Sequence, residues 1–195
     1  MSWFTDYTKF SDEDLMHLIA RNNTAGVKEL YRRYNKKIYA FLYRMLGNDE
    51  DKAQDFLQEV FLRIVDKAGN FNPDQRFRNW VFSMASNLCK NEFRRLQVRH
   101  QTTNDPDIDE QPGDYNDPDA KIDQRDLQSA IFKELLKIDD EQRETFLLRF
   151  QQQYSIKEIS EIQQCPDGTV KSRLHNTTRK LALKLKAYNP YIIEA

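Results

Sequence analysis

Ser155 to Leu174 reads SIKEISEIQQCPDGTVKSRL. Ser155-Ile-Lys-Glu158 is an S-x-x-E capping box, in which the serine hydroxyl and the glutamate carboxylate satisfy each other's backbone N–H groups at a helix start. Ile156, Ile159 and Ile162 follow at helical spacing. Gln163-Gln-Cys-Pro166 then breaks the period, and Pro166 suits the first position of a new helix. At about 100° per residue, Val170, Leu174, Thr177, Leu181 and Leu185 of that second helix share one side. The opposite side carries Ser172, His175, Asn176 and Arg179, flanked by Lys171 and Arg173. From Gly168 to Ile193 there are six Lys/Arg and no acid. A short helix, a tight turn and a longer basic helix make a helix-turn-helix, whose second helix suits phosphates and base edges. A solvated basic face on a small helical bundle is the plainer alternative.

Upstream of this motif, Leu127, Ala130, Ile131, Leu135 and Ile138 form one helical stripe. Phe146, Leu147 and Phe150 form another behind Asp139 or Asp140 as cap. Further upstream the composition changes. Residues 101–126 carry a net charge of −7, against +4 for 1–100 and +2 for 127–195, so the overall −1 conceals a strong segregation. Asn104 to Asp119 holds seven acids and no base. Such a stretch lacks the apolar surface to offset its chain entropy and reads as a flexible acidic linker. The expected organisation is a helical domain over 1–97, a linker over 98–123, a helix-turn-helix domain over 124–186 and an apolar tail over 187–195. The tail suggests no function, only packing against the last helix.

The first domain reads as four helices. Ser11-Asp-Glu-Asp14 resembles a capping box ahead of Leu15, Leu18 and Ile19. Asn23 or Thr24 starts a long helix with Val27, Leu30, Tyr31, Tyr34, Ile38, Phe41, Leu42 and Met45 inward, closed by Gly47. The third turns Ala53, Phe56, Leu57, Val60, Phe61, Ile64 and Val65 inward. The fourth does so with Phe77, Val81, Met84, Ala85 and Leu88. No segment sustains strand alternation, so the fold class is all-α, two small helical domains. Only 5 Gly and 6 Pro are present, which argues against a turn-rich β-sandwich. No run is long and apolar enough to span a bilayer, and the first residues show no signal-peptide pattern, so a cytoplasmic protein is expected. Cys89 and Cys165 make no CxxC and do not cluster with His17, His100 or His175, so no metal, disulfide or cofactor is expected. No nucleophile–base set, metal cluster or phosphate loop suggests an enzyme.

Two further faces stand out. On the third helix Asp51, Asp55, Gln58, Glu59 and Leu62 lie opposite the apolar stripe. An outward Leu ringed by acids and an amide suits a protein partner, with a hydrophobic anchor and a polar rim. The outer face of the fourth helix holds Asn79, Phe82, Ser83, Ser86, Asn87, Lys90, Phe93 and Arg94, with Arg76, Arg78, Arg95 and Arg99 around it. Amides, hydroxyls and guanidinium groups there suit DNA, while Phe82 and Phe93 read better as packing against another helix.

These motifs resemble the sigma-70 family of bacterial polymerase subunits. The run Asp51–Arg63, and Phe77–Leu88 with Arg94-Arg95 behind it, are similar to region two. Gln142–Arg149, Ser155–Ile159 and Gly168–Leu174 are similar to region four. With only these two regions the chain is identified as a member of the extracytoplasmic-function (ECF) group. The resemblance implies a non-catalytic subunit that binds core RNA polymerase and promoter DNA, with an anti-sigma factor as a further partner. It implies polymerase contacts at Asp51, Asp55, Gln58, Glu59 and Leu62. It implies a pocket for a flipped minus-ten base at Phe71–Phe77, and strand contacts at Arg78, Asn79, Ser83, Asn87 and Lys90. It implies minus-thirty-five recognition through Lys171, Ser172, Arg173, His175, Asn176 and Arg179. Departures from the family pattern are Ser86, Ser160, Gln164 in place of a frequent turn glycine, and the polar run His175–Thr178. The alternative from another class is a helix-turn-helix regulator with a helical sensor domain, which would bind duplex DNA without polymerase.

Overall fold

The computed structural model describes residues 6–102 and 124–185. The expected tail and most of the expected linker lie outside the described residues. The order is α1 (Asp12–Ala20), α2 (Thr24–Met45), α3 (Glu50–Lys67), α4 (Phe77–Thr102), α5 (Gln124–Leu135), α6 (Asp140–Phe146), α7 (Ile156–Gln163) and α8 (Asp167–Lys184), with short 3₁₀ turns at Tyr7–Lys9 and Ala68–Asn70. The described residues contain no strand. α4 continues to Thr102, into the stretch read as linker.

Helix starts follow local chemistry. Ser11 and Asp14 form a reciprocal capping box at α1, Asn23 accepts from the Ala25 N–H at α2, and Asp49 accepts from the Lys52 N–H at α3. α4 is capped from a distance: the Phe77 N–H donates to Glu13 Oε1 of α1 at 2.9 Å. Gly26 lets α1 and α2 touch, because a Cβ there would stand 2.9 Å from the Leu15 carbonyl oxygen. Leu30, Ile38, Phe41, Leu42, Val60, Ile64, Phe77 and Val81 are fully buried between α2, α3 and α4. A polar knot pins α1 to α2. Arg33 pairs with Asp12 at 2.6 Å and with Glu29 at 2.7 Å, and Tyr34 donates to Asp12. Arg32 and Arg33 together hold the Glu29 carboxyl at about 2.

In the second unit Asp139 caps α6. α6 then widens into a π-type turn over Leu147–Gln151. Ser155 and Glu158 form the expected capping box at α7. Gln164 ends α7 in the left-handed region at φ 54°. Pro166 is the residue before α8, one position earlier than the sequence suggested. Val170, Thr177, Leu181 and Leu185 of α8 are buried against the unit.

Three stripe assignments change. Tyr31, Val65 and Phe150 were expected inward but are 43%, 49% and 54% exposed. They sit at the edges of their stripes, where the helical period does not say how far a neighbour reaches. A larger change concerns α4. Its supposed outer face is covered: α7 packs along α4, and the π-type turn packs on α2. Phe82 is fully buried between Phe41 of α2 and Tyr154 of the second unit, with ring centroids 5.4 Å away on both sides.

Candidate functional site

The α3 face is open. Asp51, Asp55 and Gln58 are exposed, and Leu62 is 66% exposed, the most exposed large apolar side chain among the described residues. Glu59 is half-buried and ion-paired to Arg63 at 2.7 Å, so its carboxylate is fixed along the helix. The sequence reading missed Val65, one turn beyond Leu62. It also missed Tyr31, whose ring rests 4.8 Å from that of Phe61, the neighbour of Leu62. The signal for Val65 was its three-residue spacing from Leu62, which brings the two onto one side of the helix.

On α8, Lys171, Ser172, His175, Asn176 and Arg179 are exposed, as is Lys180. Arg173 turns inward instead. It pairs with Glu141 of α6, and it donates to Gln163 Oε1 at 3.1 Å. Burial lowers its pKa from the ordinary guanidinium value. It therefore ties α8 to α6 and α7, and the exposed cations of α8 are Lys171, Arg179, Lys180 and Lys184. The Ser172 hydroxyl donates to the Thr169 carbonyl at 2.9 Å, which fixes its rotamer.

Between α3 and α4, Phe71, Phe77 and Trp80 form an aromatic cluster with centroids 5.1–6.2 Å apart. Asn72 Oδ1 accepts from the Asp74 N–H at 3.0 Å and shapes the turn. Beside it opens a cavity of about 530 Å³ lined by Asp12, Glu13, Tyr34 and residues 73–76 and 78. Phe77 itself is fully buried. The exposed part of this loop is therefore Asn72–Arg76.

Of the five strand-contact candidates on α4, only Asn87 is exposed. The Arg78 guanidinium stacks 4.0 Å from the Tyr154 ring centroid and donates to the Gln152 carbonyl, while the Tyr154 hydroxyl donates to the Arg78 carbonyl at 3.0 Å. Asn79 Nδ2 donates to Glu161 at 2.9 Å. The Ser83 hydroxyl donates to the Ile162 carbonyl at 3.3 Å. Lys90 pairs with the buried Glu144 at 3.3 Å. All four thus bond residues of the second unit.

Among the described residues no cluster of His, Cys, Asp or Glu could hold a metal ion, and no helix is long and apolar enough to cross a membrane. Cys89 is buried and Cys165 half-buried, both as free thiols.

This architecture defines a two-unit, all-helical protein with a helix-turn-helix in the second unit. The family model for Sigma-70 region 2 matches residues 30–99, and that for Sigma-70, region 4 matches residues 129–181. The chain belongs to the ECF group of the sigma-70 family, whose members are transcription-initiation factors and not enzymes. It is 29% identical over 160 residues to the ECF RNA polymerase sigma factor SigW of Bacillus subtilis, an alignment covering 78% of this chain and 85% of that one. It is 26% identical over 195 residues to the RNA polymerase sigma-H factor of Pseudomonas aeruginosa, covering 96% and 99% of the two. Its fold is similar to that of the sigma factor RpoE of Bartonella quintana, solved with the anti-sigma factor NepR (TM-score 0.65, 23% identity, 82% of this chain and 96% of that one). It is likewise similar to CnrH, solved with the cytosolic domain of CnrY (TM-score 0.67, 21% identity, 90% and 97%).

Proposed function

We propose that the chain binds core RNA polymerase through α3, reads a minus-thirty-five element with α8 and engages an opened minus-ten element with α4 and the loop before it. The observation that carries this reading is Leu62: a large apolar side chain held out to solvent beside Asp55, Gln58 and Glu59, within the segment matched by region 2. An exposed anchor with a polar rim favours a protein partner, and its acidic neighbours disfavour DNA there.

On α8, Lys171 and Arg179 supply phosphate contacts, while His175 and Asn176 are the side chains on the face that would reach base edges. The exposed loop Asn72–Arg76 and its adjoining cavity are where an extruded base would be received. Flipping costs a few kcal/mol, which contacts in such a pocket must offset. The mechanism is differential binding throughout, with no side-chain chemistry. An anti-sigma factor is a further expected partner, since the sigma factor RpoE of Bartonella quintana, of similar fold, was solved with the anti-sigma factor NepR.

The test is in vitro transcription: purified chain is added to core polymerase and genomic DNA, and new start sites are mapped. Discrete new starts preceded by shared sequence near minus ten and minus thirty-five support the reading. No association with core, or no change in start sites, overturns it.

A further inference from the structure

A groove of about 510 Å³ opens between α2, α5 and the end of α6, and none of its lining residues belongs to α4. Two ring pairs line it. Tyr39 and Tyr43 of α2 stack with centroids 6.0 Å apart, and Phe146 and Phe150 of the second unit lie 4.6 Å apart. Ile131 and Phe132 of α5 add to the apolar lining. Phe150 is 54% exposed, so part of this aromatic surface is left in water. Arg44 is the one charged residue in the lining. Its guanidinium lies 3.7 Å from the Phe132 ring centroid and 5.3 Å from that of Tyr43, and it donates to Asn48 Oδ1 at 3.0 Å. Burial lowers its pKa from the ordinary guanidinium value, and among the described residues only Tyr43, and no acid, opposes that shift. A partly desolvated cation without a carboxylate is an incomplete arrangement. Gln151 Oε1, at the same groove, lacks a hydrogen-bond partner.

We propose that this groove is the docking site of the chain's own segment 186–195, with Glu194 paired to Arg44. The inference goes beyond the polymerase and promoter reading and uses none of the residues assigned to it. The segment reads KAYNPYIIEA. Its apolar side chains, Tyr188, Tyr191, Ile192 and Ile193, match the aromatic walls. Glu194 is its only acid, and the only one after Asp167. One acid on an apolar segment thus meets one cation in an apolar groove. The reach is sufficient. Leu185 is buried at the end of α8, and α8 packs on α5 and α6, the helices that supply Ile131, Phe132 and Phe146 to the groove. Rounding α5 requires about one helix diameter, ~10–12 Å. Nine residues from Leu185 to Glu194 span up to about 30 Å, and Asn189-Pro190 favours a change of chain direction. Attachment to α8 also places the segment at an effective concentration in the millimolar range, on the order of a thousandfold above a second copy at micromolar concentration.

The experiment uses the full chain with the photo-cross-linker p-benzoylphenylalanine in place of Tyr191, irradiated at micromolar concentration and mapped by peptide mass spectrometry. The expected product is a cross-link within one chain, from position 191 to Tyr39, Tyr43, Phe132 or Phe150. Glu194→Gln removes the carboxylate without touching the groove, and should lower the yield of that product about tenfold, as expected for the loss of a charge-assisted bond. Arg44→Gln should lower it by a similar factor. The double variant should fall no further than either single one, because both remove the same bond. Urea unfolding of each variant shows whether the groove is intact, and Glu194→Gln decides the question if Arg44→Gln is unstable. Cross-links to another part of the chain, cross-links between two chains, or a yield that Glu194→Gln leaves unchanged each overturn the inference. Start-site mapping with core polymerase stands apart from this result, since none of the altered residues is assigned to polymerase or DNA.

Discussion

Leu62→Ala isolates the contribution of the α3 face. Fully burying a leucine side chain stabilises a complex by about 1.5–3 kcal/mol relative to leaving it in water. Leu62 is 66% exposed in the free chain, so docking can cover at most about two-thirds of it. Its truncation should cost about 1–2 kcal/mol of binding, a weakening of core polymerase affinity of about 5- to 30-fold. The same exposure means that little core packing is lost, so the urea midpoint should stay at the wild-type value. The assay is titration of core polymerase into labelled full chain at one fixed salt concentration, with urea unfolding of both proteins alongside. Wild-type affinity for the variant would refute the assignment of this face. A large drop in the urea midpoint would show that the side chain serves the fold.

Three other outcomes are expected. Glu29→Ala removes the carboxylate that anchors Arg32 and Arg33, and should cost about 1.5–3 kcal/mol of stability near neutral pH. Because the folded pKa is depressed to about 2, this stabilisation is complete above the ordinary value of 4.5 and fades as pH falls toward 2. Urea midpoints of wild type and variant should therefore converge across that window. Gln164→Gly relieves a side chain from the left-handed region at φ 54° and should raise stability by about 1 kcal/mol, seen as a higher urea midpoint. Arg179→Ala should weaken duplex binding by α8 and make the log–log salt dependence shallower by about 0.9, measured by anisotropy across a salt series.

Features set by neighbouring residues were readable in the sequence. The capping boxes at Ser11 and Ser155 act within four residues, and both are present. The buried stripes of α2, α3 and α8 follow from spacing, apart from their margins at Tyr31 and Val65. What the sequence concealed depends on distant parts of the chain. The π-type turn at Leu147–Gln151 has no residue signature, and the widening it introduces accompanies the outward turn of Phe150. Arg173 reads as one more cation on a basic face until Glu141 and Gln163 are brought beside it. The α4 face misled because its polar residues suggest solvent or DNA. Phe82 and Ser86 were the available hint, since a large ring and a small hydroxyl on one side suit a second packing partner. For α3 and α8 the candidate side chains lie on open faces apart from Arg173 and the half-buried, ion-paired Glu59. For α4, residue type was legible and accessibility was not.

The burial of Cys89 has a practical corollary. Its thiol lies within α4, with Glu144, Arg143 and Asp140 of α6 as its charged neighbours, and burial pushes its pKa well above the ordinary thiol value. Shielded and protonated, it is a poor nucleophile while the halves stay together. Iodoacetamide would therefore modify it at a pace set by how often they part, giving an unmodified molecule its own chemical stopwatch.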